Sequence, residues 1–153
     1  MATTFKYPLE DDIQKFADDI RDCDREEIAV HVPLLSVVDA LRASVECSEF
    51  VQIAYVDDKP VVIFGVNRLD ASCGSVWLMA TNEIENVNRE FIRQSKVKLD
   101  EMFDKTGCET LKNIVLVKND LHVRWLKWLG FDFGSLVVYN GHEFLQISKN
   151  KKS

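Results

Sequence analysis

The stretch from Ser75 to Val117 constrains this chain more than any other. Ser75 to Thr81 is an apolar run (Val76, Trp77, Leu78, Met79) suited to a buried strand. Ile84, Val87, Phe91, Ser95, Leu99, Met102 and Phe103 then fall on one helical stripe that ends near Gly107, and Leu111 to Val117 is a second buried strand. A long helix between two buried strands implies a crossover that pairs those strands in parallel.

The flanking segments add antiparallel structure. Phe50 to Val56 and Pro60 to Val66 are rich in β-branched and aromatic residues and are joined by Asp57, Asp58 and Lys59, which predicts a hairpin. A last hairpin follows from Leu136 to Tyr139, the Asn140-Gly141 turn, and His142 to Ile147. Before the first hairpin the spacing is helical. Ile13, Phe16, Ala17 and Ile20 define a helix ending near Asp22, and Asp24 with Glu27 has capping-box spacing for a short helix toward His31. Pro33 then suits the first turn of a third helix, with Leu34, Val37, Val38, Leu41 and Val45 on its apolar face. Leu121, Trp125, Trp128 and Leu129 mark a short helix stopped by Gly130, the two tryptophans reading as core anchors. The expected class is α/β, with a mixed, mostly antiparallel twisted sheet and flanking helices.

The size fits one domain over 1–148, with 149–153 a short basic tail carrying Lys149, Lys151 and Lys152: the chain has 153 residues, 46% of them hydrophobic. Charge is uneven. Residues 1–58 carry 14 acidic and 5 basic side chains, and residues 59–153 carry 11 and 14. The net charge of -6 disfavours a nucleic-acid partner, because an acidic surface gains nothing from counterion release. Cys23, Cys47, Cys73 and Cys108 stand singly, so no zinc site or disulfide framework is expected. No metal-ligand set stands out. Neither a signal peptide nor a membrane span is evident, and the cytosol of the producing cell is the expected location.

The order of elements from Ser75 onward, with Asn119, the short helix and the Gly130-Phe131 stop, resembles the GNAT family of acyl-CoA-dependent N-acyltransferases. Within that family the run Val117-Lys118-Asn119-Asp120-Leu121-His122-Val123-Arg124-Trp125-Leu126-Lys127, with Arg89-Glu90-Phe91 and the Phe50 to Val66 strand pair, is similar to the internal core proteins of T7-like phages. The resemblance implies acetyl-CoA or another acyl-CoA as cofactor and an amine as acceptor. It implies that backbone groups of Leu78, Met79 and Ala80 hold the pantetheine amide and the oxyanion. Glu85, Asn86 and Val87 at the helix start would face the pyrophosphate, with Arg89 and Arg93 adding charge and Asn119 completing the site. The phage likeness adds a host or virion protein as partner, the virion as a location, and a noncatalytic role as the alternative.

Two features depart from the family pattern. The glycine-bearing phosphate loop is absent from Asn82 to Asn88, where Glu83 and Glu85 place negative charge. Leu126 stands where many members carry the tyrosine that protonates the leaving thiolate. Tyr139 and His122 are the substitutes for that acid. Glu46 and Glu49 are the nearest carboxylates for a general base, with Glu49 the candidate base.

Overall fold

A computed structural model describes residues 2–152. Its strands are β1 (Thr3–Lys6), β2 (Phe50–Val56), β3 (Lys59–Arg68), β4 (Cys73–Ala80), β5 (Thr110–Leu116), β6 (Asp132–Tyr139) and β7 (His142–Asn150). Helices are α1 (Glu10–Asp18), α2 (Asp22–His31), α3 (Val37–Cys47), α4 (Arg89–Thr106) and α5 (Asp120–Trp128). All seven strands form one sheet in the order β1-β2-β3-β4-β5-β7-β6. β4 and β5 pair in parallel and every other neighbouring pair is antiparallel, so the mixed, mostly antiparallel sheet expected from the sequence is the one found.

Turn chemistry sets the hairpins. Asp57 and Asp58 have φ of 49° and 67°, and Asn140 and Gly141 have φ of 48° and 79°. Two consecutive left-handed residues make a turn whose twist matches that of the flanking strands. The crossover helix α4 starts where the Asn88 side chain accepts the Phe91 N–H at 3.0 Å, and stops at Gly107, whose φ is 70°. Its apolar stripe (Phe91, Leu99, Met102, Phe103) packs with α5 on one face of the sheet, while α1, α2 and α3 cover the other through Phe16, Ile28 and Leu41.

Several boundaries differ from the periodicity, each for a local reason. β1 was not expected; it pairs with β2 through Thr3 to Lys6, a segment too short and too polar to announce itself. α1 ends at Asp18, because Ile20 leaves the helix to bridge Thr81. The third helix begins at Val37 under Ser36, whose hydroxyl accepts the Asp39 N–H at 3.1 Å, and Pro33 to Leu35 lie in the connection. Ile84 keeps the helical stripe but sits in a 3-10 turn over Asn82–Asn86, and extended Val87 separates that turn from α4. β7 runs through Asn150, two residues into the segment read as a tail. Among the described residues no helix is long and apolar enough to cross a membrane, and no disulfide joins the four cysteines.

Gly65 on β3 marks a tight backbone approach in the sheet. A Cβ there would lie 2.6 Å from the Phe50 carbonyl oxygen and 2.9 Å from the Trp77 indole nitrogen. The backbone oxygen cannot move aside without breaking the β2–β3 ladder. Gly65→Ala is therefore expected to destabilise the fold by about 1–3 kcal/mol, read as a lower urea midpoint with an unchanged slope.

Candidate functional site

Parallel pairing of β4 with β5 covers three positions, Cys73 with Thr110, Gly74 with Leu111 and Ser75 with Lys112, and then stops. Asn113 ends it. Its side-chain Nδ2 donates to the Val76 carbonyl at 2.6 Å while its Oδ1 accepts the Ile114 N–H at 2.7 Å, so a side chain fills the place of the next ladder rung. Beyond that point the strands separate, and backbone groups on their facing edges need other partners.

At the wide end α2 supplies them. Asp24 Oδ2 accepts the Ala80 N–H at 2.6 Å, and Glu27 Oε1 accepts the Leu116 N–H at 3.0 Å. The Arg21 N–H also donates to the Ala80 carbonyl at 3.0 Å. Strand alternation points the N–H and C=O of Val76, Leu78 and Ala80 toward the gap, since Thr81 turns its N–H back to Val61 on β3. Ala80 is taken by Asp24 and Arg21, and the Val76 carbonyl by Asn113. Leu78 is left in the middle, its N–H and C=O facing the gap with no hydrogen-bond partner identified among the described residues.

A cavity of about 410 Å³ occupies this gap and draws its walls from both faces of the sheet. On the α5 face it is lined by Val76, Leu78, Trp125, Leu126 and Leu129, and on the α2–α3 face by Ile28, His31, Leu35, Leu41, Trp77 and Met79. It spans the sheet from one helical layer to the other and is mostly apolar, with Ser44, Cys47, Asn67 and Asn113 among its polar members. Its charged edge is the α2 cluster.

That cluster is closed. Asn119 Nδ2 donates to Asp24 Oδ1 at 2.7 Å, and the Arg21 guanidinium lies 3.5 Å from the same oxygen and 3.3 Å from Asn119 Oδ1. His122 stands between the carboxylates, Nε2 3.3 Å from Asp24 Oδ1 and Nδ1 3.5 Å from Glu27 Oε2. Nε2 is misaligned for a hydrogen bond, so its attraction to Asp24 is one of charge. Burial alone would lower the His122 pKa, but the bond to Glu27 and the charges of Asp24 and Glu27 outweigh it and raise it. Burial likewise works against the Glu27 anion, and His122 with the Leu116 N–H overcomes it and lowers that pKa. Asp24, Glu27 and His122 offer ligand atoms within 4.8 Å of one another, the geometry of a small metal site. The two imidazole nitrogens address different carboxylates, however, and Arg21 already supplies a cation. A proton on His122 balances the cluster, whereas a dication would leave buried positive charge in excess.

The residues singled out in the sequence disperse around this frame. Leu78 and Met79 line the cavity, and Ala80 is buried and tied to Asp24. Glu85, Asn86 and Val87 precede the long helix, in the 3-10 turn and its linker. Arg89 and Arg93 are exposed on the first turns of α4, and Arg93 pairs with Glu90 at 3.6 Å. Asn119 and His122 meet in the buried cluster. Tyr139 lies outside the lining, its ring 5.3 Å from that of His31. Glu49 is exposed and held by Arg68 at 2.7 Å, away from the cavity. By sequence, Asp24 and Glu27 have the spacing of a capping box. The signal for their other role was their spacing with Ile28 and His31, which puts two carboxylates in the inward stripe of α2.

The chain matches no known protein family by sequence scan, and no curated protein matches it. Its structure does match solved ones. It resembles a GNAT-family acetyltransferase of Streptococcus pneumoniae (TM-score 0.67, 10% identity, 99% of this chain and 100% of that one). It also resembles Ard1 of Thermoplasma volcanium (TM-score 0.72, 14% identity, 100% of both chains). A third likeness is to yncA of Salmonella typhimurium, solved with its cofactor acetyl-CoA (TM-score 0.71, 11% identity, 100% and 96%). At these identities the likeness is one of fold, and the fold is that of the GNAT acyl-CoA N-acyltransferases.

The buried cluster sets a pH window for stability. The raised His122 pKa contributes stability that is complete below its unfolded value of 6.5 and lost as pH rises through the folded value. The lowered Glu27 pKa contributes stability present above 4.5 and lost as pH falls through its folded value. The pair therefore stabilises most between those limits. In urea titrations from pH 6 to 9 the protein should weaken steadily, and His122→Gln should abolish most of that slope while lowering the pH 6 midpoint.

Proposed function

We propose that this chain is an acyl-CoA-dependent N-acyltransferase whose acyl arm lies in the gap between β4 and β5. One observation carries the reading: the parting of those strands after three pairs, which leaves the Leu78 backbone groups open on a mostly apolar passage that spans the sheet. An amide-bearing arm can pair with those groups as a strand would, and the Val76, Trp125, Leu126 and Leu129 walls suit its methylenes. The phosphate end fits less closely. No loop glycine lets the backbone approach, Glu83 and Glu85 stand in the turn, and the cations on that face are Arg89, Arg93 and Lys96.

A bound acyl-CoA supplies a thioester carbon open to attack by an amine. The Leu78 N–H donates to the oxygen that gains charge, in a site where apolar walls keep water from competing. Met79 lends its side chain to the wall, and Ala80 holds the strand end through Asp24. His122 and Asn119 act by position, keeping Asp24 and Glu27 on the two strands. Tyr139 fixes the His31 ring, and the Glu49–Arg68 pair anchors the start of β2. The charge asymmetry supports a direction of entry. The polyanionic donor meets the α4–α5 face with Arg89, Arg93 and Lys96, and the cationic amine meets the acidic α1–α3 half.

The tied-off end of the gap favours one other reading. Asp24 and the Ile20–Arg21 segment occupy the edge of β4 nearest the phosphate end, as in a GNAT fold that no longer binds a cofactor. The likeness of Asn119 to Lys127 to T7-like phage core proteins would then make the chain a noncatalytic virion or host-interaction protein. Recovery of the chain from purified phage particles, with no acetyl-CoA binding, is the outcome this reading expects.

Calorimetric titration with acetyl-CoA separates the two. Acyl transfer expects saturable binding that Leu129→Trp, which fills the α5 mouth, abolishes without loss of folding. No heat and no thermal shift at millimolar ligand would end the enzyme reading. If the missing phenol limits turnover, Leu126→Tyr should raise kcat about 10-fold or more at neutral pH, measured by thiol release.

A further inference from the structure

We infer that the α2–α3 mouth of the passage takes a primary monoamine carried on an apolar body, and that His31 is the base that receives its proton. This rests on the acyltransferase reading of the same cavity. It goes further in naming the acceptor class and a catalytic residue that neither the family resemblance nor the phage likeness indicates.

The mouth is mostly apolar, with Ser44, Cys47 and Asn67 its uncharged polar members. Ile28, Val32, Leu35, Leu41, Trp77 and Met79 form its wall. Leu34 and Leu35, 97% and 44% exposed, continue the apolar surface outward along the connection between α2 and α3. Apolar side chains left in water beside a cavity are explained when a bound partner covers them. The only carboxylate in the lining is Glu27, and both its oxygens are engaged, one by the Leu116 N–H and the other facing His122. A polyamine or aminoglycoside would bring several ammonium groups to a wall with no anion free to pair with them, which is costly. A single amine on an aromatic or aliphatic body loses only one charge on entry, and loses it by deprotonation.

That first proton goes to bulk water, and His31 is the group placed to take the second, which nitrogen sheds as it bonds to the thioester carbon. It is the last residue of α2, half-buried, and lines the cavity that Leu78 lines from the opposite side. Its ring lies 5.3 Å from both Tyr139 and Phe144, so two aromatic side chains from β6 and β7 fix its plane. Asn140 Nδ2 donates to the Val30 carbonyl at 2.7 Å, fastening the β6–β7 turn to the same end of α2. The other titratable groups in the lining are Glu27 on the same helix, Cys47 on α3 and His122 on α5, with Tyr139 against the ring. Burial lowers the His31 pKa and Glu27 opposes this, with a net fall, so the imidazole is neutral at pH 7 and free to accept. In the step, the amine nitrogen bonds to the thioester carbon, the carbon–sulfur bond breaks, and sulfur leaves with its electron pair. The proton shed by nitrogen passes to His31 and then, through water, to the thiolate.

The test uses the full-length protein with two probes, phenethylamine and cadaverine. Binding without donor is followed by fluorescence of Trp77 and Trp125, which line the cavity, and transfer by thiol release from acetyl-CoA. The inference expects saturable quenching by phenethylamine and at least about 10-fold weaker binding of cadaverine. It also expects His31→Gln to lower kcat/KM about 100-fold and to remove an acid limb lying below pH 6.5, with phenethylamine binding kept. Leu35→Asp should narrow the gap between the two amines. Equal or better binding of cadaverine, or an unaltered acid limb in His31→Gln, would overturn it. Phenethylamine binding with no acetyl-CoA turnover would sink the acyltransferase reading and the base role together, leaving an amine-binding pocket. Turnover without preference for phenethylamine would sink the acceptor class alone.

Discussion

Two hydrogen bonds from one helix hold the centre of this molecule: Ala80 N–H to Asp24 and Leu116 N–H to Glu27. A parallel pair that stops after three rungs leaves buried donors facing empty space, and each unpaired donor costs roughly 1–3 kcal/mol. Closing the gap would satisfy them and destroy the cavity. The α2 carboxylates satisfy them with the gap left open. Because the two acids are three residues apart on α2, the helix geometry itself sets the spread of the strand ends. Everything that depends on the cavity therefore depends on α2 keeping its angle.

The overall fold was legible in the sequence where hydrophobic period and turn chemistry agreed. The strand, long helix and strand from Ser75 to Val117, the Asn140-Gly141 hairpin and the Gly107 stop all follow from residue type and spacing. Those signals are local and strong. What escaped was structure set by tertiary pairing. β1 exists because β2 has an open edge, and α1 ends early because Ile20 pairs with Thr81 some sixty residues away. The candidate site was legible only in part for the same reason. Leu78, Asn119 and His122 could be read as points of interest, but Asp24 and Glu27 also have the spacing of a helix cap, and their place on the inward stripe with Ile28 and His31 does not say which backbone donors they would meet.

Identities near 10–14% with a shared fold are intelligible in these terms. The sheet order needs alternating or continuous apolar strands and a crossover helix, which many sequences supply. A phosphate-binding loop needs glycines at fixed places, and Asn82–Asn86, a single turn of 3-10 helix, has none. With Thr81 capping that turn through the Glu83 N–H at 3.2 Å, the backbone donors a phosphate would use are already partly spent inside the chain.

The closed charge of the α2 cluster explains why the passage can be mostly apolar. Two carboxylates next to a cavity would ordinarily draw water or cations into it. Here Arg21, Asn119, His122 and two backbone N–H groups occupy their lone pairs, so the cluster presents little net charge to the gap. That neutrality is conditional on His122. With the imidazole neutral, Asp24 and Glu27 are left with Arg21 as the one cation beside them, Glu27 being the one of the two that lines the cavity, and the low dielectric strengthens the imbalance. The same proton that completes the strand clamp thereby sets the charge beside the cavity, and fold and cavity are linked through one buried histidine.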